Sequence, residues 1–189
     1  MSRPEERERE GNPSIIHLAL RVNGEDRTAS LDARLTLLDA LREVFHLAGT
    51  KKGCDQGTCG ACTVVLDGQR VLSCLTLAAT CAGRDVLTID GLAVKGVLHP
   101  IQKAFLDADA LQCGFCTPGQ IISALCLLKE AAEGVPSHAT VDVRQPVNAA
   151  DLSDDEIRER MSGNLCRCAA YPNIVAAIRG LRPHEGKPR

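Results

Sequence analysis

The spacing of ten cysteines in 189 residues constrains this chain more tightly than any other feature. Cys54, Cys59, Cys62 and Cys74 fall in "GCDQGTCGACTVVLDGQRVLSC", a C-x4-C-x2-C run with a distant fourth member. Two close pairs follow, Cys113 and Cys116 in "QCGFCTPG" and Cys166 and Cys168 in "GNLCRCAAYPN". The opening "MSRPEEREREGNPS" is charged where a secretory signal needs an apolar core, so the expected compartment is the cytoplasm. Thiols there stay reduced and ligate metal rather than pair as disulfides.

The first spacing is the plant-type pattern for a [2Fe-2S] cluster. Two ferric ions, two sulfides and four thiolates carry a formal charge of about −2. Such a core calls for backbone N–H groups aimed at sulfur, and Gly53, Gly57 and Gly60 are expected to supply them through positive φ and close approach. Singly, each glycine reads as an ordinary turn residue. Asp55 reads as a turn residue as well, and Lys51 and Lys52 as solvated charges rather than as tuning or docking groups.

Cys113, Cys116, Cys166 and Cys168 suit a second [2Fe-2S] cluster, with a tetrahedral zinc site as the rival. Both pairs precede helix starts, where free N–H groups and the helix dipole favour an anionic core. Arg167, between two ligands, stays open between surface charge and tuning of a potential. Phe115 is expected in the core and Gln112 in solvent. Cys126, among leucines, reads as a buried filler. Cys74 rather than Cys81 completes the first set, because it ends the hairpin that starts at Cys62.

Periodicity places these motifs on an α+β fold with two domains, 13–91 and 92–182, flanked by polar tails at 1–12 and 183–189. Alternation in "IIHLALRV" ahead of Asn23-Gly24 predicts a hairpin, and a second surrounds Asp67-Gly68. Thr36 is a candidate N-cap for a helix presenting Leu38, Leu41 and Phe45, and "DVLTID" is a further strand. Four helices are expected beyond residue 91. The first starts at His99-Pro100; the second follows a capping box at Thr117–Gln120 and runs to Gly134. A third follows a box at Ser153–Glu156 and ends at Gly163; the last runs from Pro172 to Pro183. Residues 135–152 form a long connection.

Several functions are excluded. Three Phe, one Tyr, no Trp and a net charge of −2 leave little for nucleic-acid binding, and no apolar run spans a membrane. His17, His46, His99, His138 and His184 are scattered, with no nucleophile or paired carboxylates to serve, so no catalytic residue is assigned.

"GTKKGCDQGTCGACTVVLDG", "QCGFCTPGQIISA" and "MSGNLCRCAAYPNI" together resemble the small iron-sulfur subunit of the molybdenum hydroxylases, the xanthine dehydrogenase and aldehyde oxidoreductase family. The resemblance spans residues 15–182 and matches all eight ligand positions. It implies an N-terminal β-grasp, plant-type ferredoxin-like domain and a C-terminal four-helix bundle, each with a [2Fe-2S] cluster. It also implies a large subunit carrying molybdopterin, in its cytosine dinucleotide form, and a separate FAD subunit. Electrons would pass from the pterin through the bundle cluster and the ferredoxin-like cluster to FAD, with Gln112 and Cys168 nearest the pterin. From its length the chain is expected to hold no flavin or pterin domain, which would then reside on other polypeptides.

Bacterial aldehyde oxidoreductases are the nearest likeness. A xanthine or other N-heterocycle dehydrogenase is the alternative, followed by a free ferredoxin-like carrier. Periplasmic members carry a twin-arginine signal, so that compartment is expected if such a signal was removed.

Overall fold

The computed structural model describes residues 14–145, 147 and 152–181. The expected tails at 1–12 and 183–189, the Pro183 stop, His184 and part of the 135–152 connection lie outside the described residues.

Alternate residues of a strand point the same way, and β1 (Ile15–Val22) accordingly buries Leu18, Leu20 and Val22. Asn23 and Gly24 then take φ of 55° and 83°, the two left-handed residues of a type I′ turn. Strand β2 (Glu25–Asp32) returns antiparallel. Thr36 Oγ1 accepts the Asp39 N–H at 3.1 Å and opens α1 (Leu37–Asp39), which widens into a π turn over Ala40–Val44. Strands β3 (Thr63–Leu66) and β4 (Gln69–Leu72) flank the Asp67-Gly68 turn, and β5 is Asp85–Leu87. The sheet order is β2-β1-β5-β3-β4, with β1 and β5 parallel and the other pairs antiparallel. This is the β-grasp arrangement.

Among the described residues four α-helices follow: α2 (Pro100–Asp107), α3 (Thr117–Ala132), α4 (Asp154–Met161) and α5 (Tyr171–Arg179). Phe105, Ile122, Leu127, Ile157, Ile174 and Ile178 fill the space between them. Strand β3 is buried along its whole length because it serves two cores. Val64 and Leu66 face α1 and the rest of the sheet, while Val65, pointing the opposite way, joins the helical core. One strand is therefore the shared wall that brings the two cysteine regions together.

Capping follows the sequence unevenly. His99 Nδ1 accepts the Ile101 N–H at 3.3 Å and Gln102 Oε1 accepts the His99 N–H at 2.9 Å, so α2 has a full capping box. The box expected at Thr117–Gln120 is absent. Cys116, at φ −80° and ψ −13°, is already helical, so Thr117 lies inside the helix rather than at its mouth, and its buried Oγ1 has no hydrogen-bond partner among the described residues. Ser153 Oγ does accept the Glu156 N–H at 3.1 Å, but the Glu156 carboxylate turns away. It accepts from Ser137 Oγ (2.6 Å), Thr140 Oγ1 (2.5 Å) and Arg160 Nε (3.0 Å), tying the 135–152 connection to α4. Helix α4 stops at Met161, before Gly163, and α5 at Arg179.

Candidate metal centres

The loop 51–62 leads from the π turn after α1 into β3 and is curled by left-handed Asp55, Gly57 and Gly60, at φ of 55°, 78° and 72°. Gly53 departs from expectation, because its φ is not left-handed. Room is what demands glycine there, since a Cβ would lie 2.8 Å from Cys59 Sγ. The curl turns amides toward sulfur: Thr58 and Gln56 N–H donate to Cys54 Sγ at 3.2 and 3.5 Å. Led by the Thr58 side chain, these donors pull the Cys54 thiol pKa down to about 6. A thiolate is the form that ligates iron.

Ser73 closes the far end of the β3–β4 hairpin by donating to Cys62 O from Oγ (2.7 Å) and N–H (3.3 Å). Cys74 thereby meets Cys62, and burial first, then that neighbouring thiol, pushes the Cys74 pKa up to about 11. Cys54 pairs with Cys59 and also acts on Cys74, so the four sulfurs gather two and two. Cys81, by contrast, is fully buried in the sheet core beside Leu77 O. Cys126 is buried in the helical core.

The second set gathers the same way. Cys116 occupies the N-cap position of α3, while Cys166 and Cys168 lie just before α5. Cys116 pairs with Cys166 and Cys113 with Cys168. Burial, reinforced by the Cys166 thiol, drives the Cys116 pKa up to about 12, whereas the Phe115 N–H and the Cys168 thiol lower that of Cys113. Ala170 N–H donates to Cys166 Sγ at 3.4 Å and Tyr171 Oη accepts the Cys166 N–H at 2.8 Å. Among the described residues, no three His, Cys, Asp or Glu side chains close around one ion-sized point. Paired thiols with inward amides fit a two-iron core better than a lone tetrahedral zinc.

The surrounding residues divide. Lys52 is no free charge, since it bridges Asp39 and Asp55 at 3.0 Å each, and Lys51 Nζ donates to Ala48 O at 2.6 Å. Gln112 is exposed, as expected, and Arg167 is exposed beside Cys166. Phe115, expected in the core, is half exposed, because the turn between Cys113 and Cys116 gives it no packed face. It borders a cleft of about 520 Å³ between the two cysteine loops, with Gly53, Cys59, Cys113, Leu165 and Cys166.

Sequence reasoning missed the groups that join the loops. Leu165 N–H donates to Cys59 O at 2.9 Å. Buried Asn164 donates from Nδ2 to Gly60 O at 2.9 Å, and its own carbonyl accepts Gln120 Nε2 at 2.9 Å. Only the adjacency of these residues to cysteine motifs hinted at a role.

A family model described as a 2Fe-2S iron-sulfur cluster binding domain matches residues 20–84, and one described as a [2Fe-2S] binding domain matches residues 88–179. The aldehyde oxidoreductase iron-sulfur-binding subunit PaoA of Escherichia coli (strain K12) is 55% identical over 166 residues, covering 88% of this chain and 71% of that protein. The crystal structure of quinoline 2-oxidoreductase from Pseudomonas putida 86 matches with a TM-score of 0.76 at 40% identity, covering 89% of this chain and 93% of that one. Aldehyde oxidoreductase from Desulfovibrio gigas matches with a TM-score of 0.72 at 37% identity over 87% of this chain, which corresponds to 16% of that longer protein. Two matched [2Fe-2S] domains and these relatives place the chain among the iron-sulfur subunits of the molybdenum hydroxylase family, where it serves electron transfer.

Proposed function

We propose that Cys54, Cys59, Cys62 and Cys74 hold one [2Fe-2S] cluster and that Cys113, Cys116, Cys166 and Cys168 hold the other. The observation that carries this is the gathering of eight thiols, two and two, in adjoining loops joined by the Leu165–Cys59 hydrogen bond. When bound, such a group takes up and returns one electron at a time. The protein supplies the rest: thiolates, inward amides on Cys54 and Cys166, a buried setting for Cys62 and Cys74 and a half-buried one for Cys116.

In this reading the chain connects a large subunit carrying molybdopterin, as its cytosine dinucleotide form, with an FAD subunit during oxidation of an aldehyde. The 55% identity to PaoA supports the aldehyde. The likeness to quinoline 2-oxidoreductase favours, as second reading, the same relay serving an N-heterocycle. Residues 13–91 and 92–182 are taken as the two cluster-bearing units.

The purified holoprotein should contain about four irons per chain and give two distinct EPR signals after dithionite reduction. Cys59→Ser should abolish one signal and leave the other; two unchanged signals in that variant would defeat the ligand assignment. Co-purification of the intact complex, assayed with an aldehyde against xanthine and quinoline, separates the substrate readings.

A further inference from the structure

Three buried polar groups meet where the halves of the molecule touch, and each belongs to a different cysteine motif. Gly60 lies between Cys59 and Cys62, Gln120 four residues after Cys116, and Asn164 two residues before Cys166. Gly60 O accepts Asn164 Nδ2 at 2.9 Å and Thr63 Oγ1 at 2.7 Å, and Asn164 Nδ2 also lies 3.4 Å from Thr63 Oγ1. Gln120 Nε2 reaches Asn164 O at 2.9 Å. Asn164 is 6% exposed, Thr63 5% and Gln120 1%, so water does not compete for these bonds. Backbone packs on backbone around them: a Cβ on Gly60 would lie 2.4 Å from Gly163 O, and one on Gly119 would lie 2.3 Å from Gly60 O.

We infer that Asn164 is a positioning residue that fixes the two clusters relative to one another; the inference rests on the two-cluster reading above. General interface adhesion is supplied elsewhere. Arg70 on β4 donates to Glu130 Oε2 on α3 at 3.0 Å and to Arg160 O on α4 at 2.8 Å, away from the cysteine loops. Asn164 instead grips the peptide between two cysteines of one set, from a site two residues before a cysteine of the other. With the Leu165 N–H bond to Cys59 O beside it, its amide holds the spacing of the loops, which governs magnetic and electronic interaction between the clusters.

The test uses the full chain with both clusters in place, in three variants. Asn164→Ala removes the amide, Asn164→Asp keeps its shape but removes the donor, and Arg70→Gln breaks the ion pair across the same interface. Both Asn164 variants should retain the parent's iron content and both EPR signals, yet lose the parent's spin–spin broadening between the reduced clusters. Arg70→Gln should lower the melting temperature and leave the broadening intact. The inference is overturned if the Asn164 variants keep the parental broadening, if they fail to take up iron, or if Arg70→Gln loses the broadening equally. A parent with a single paramagnetic centre would sink the two-cluster reading itself, and this inference with it.

Discussion

Gly119 and Gly163 bracket the junction of the two cysteine regions, and adding one methyl group to each should have opposite results. Gly119 lies in the first turn of α3, so alanine there would favour the helix by about 1 kcal/mol if space allowed. Space does not allow it: the new Cβ would sit 2.3 Å from Gly60 O and 3.0 Å from Ala61 Cα, both backbone atoms that no rotamer change can move. Overpacking of this kind costs about 1–3 kcal/mol, at the upper end where backbone must shift. The net loss for Gly119→Ala is therefore about 2 kcal/mol, or about 4–8 °C in Tm for a chain of this size. Gly163, whose Cβ would meet nothing within 4 Å among the described residues and whose φ is not left-handed, should accept alanine with a gain of about 0.4–1 kcal/mol. Thermal melts of both holoproteins, followed by far-UV CD and by cluster absorbance, give the comparison. A Gly119→Ala protein melting at or above the parental temperature would refute the close-packing argument.

Helix caps offer a second comparison. Thr36→Ala should cost about 1 kcal/mol because its hydroxyl accepts the Asp39 N–H, whereas Thr117→Val should cost less than about 0.5 kcal/mol because its hydroxyl has no partner among the described residues. Equal losses in urea titrations would contradict that distinction. Glu156 gives a pH prediction: burial raises its pKa, but Ser137, Thr140 and Arg160 outweigh it, so the net shift is downward from 4.5. A depressed folded pKa means the contribution is full above the unfolded value and is lost as pH falls through the folded one. Glu156→Gln should cost about 1–3 kcal/mol at neutral pH, and its gap from the parent should narrow once pH drops below 4.5; a gap that stays constant refutes the assignment. Finally, Cys81→Ala and Cys126→Ala should leave the iron content at the parental value, since both thiols lie in apolar cores. Loss of iron from either would reopen the ligand sets.

Some of this architecture was legible because its causes are local. A type I′ turn needs two left-handed residues in succession, so Asn23-Gly24 and Asp67-Gly68 announced both hairpins. Pro100 and Pro172 fit only the first turn of a helix, and they marked α2 and α5. The cysteine spacing is equally local, because a metal core would fix how far apart its thiols may lie along a loop.

The tertiary structure decided what depends on partners distant in the chain. Asn164 and Gly60 are 104 residues apart, and nothing in either neighbourhood foretells their hydrogen bond. Thr117–Gln120 has the wording of a capping box, yet Gln120 bonds Asn164 O instead, because the close packing of α3 on the cysteine loop puts that carbonyl within its reach. Glu156 is likewise drawn from its box by two hydroxyls and a guanidinium. Phe115 is apolar and still half exposed, since burial depends on what an adjoining surface offers as well as on the side chain. Chain-local geometry thus set the spacing within each cysteine motif, while packing brought Cys113 and Cys116 to Cys166 and Cys168 and, across β3, set the two cysteine regions side by side.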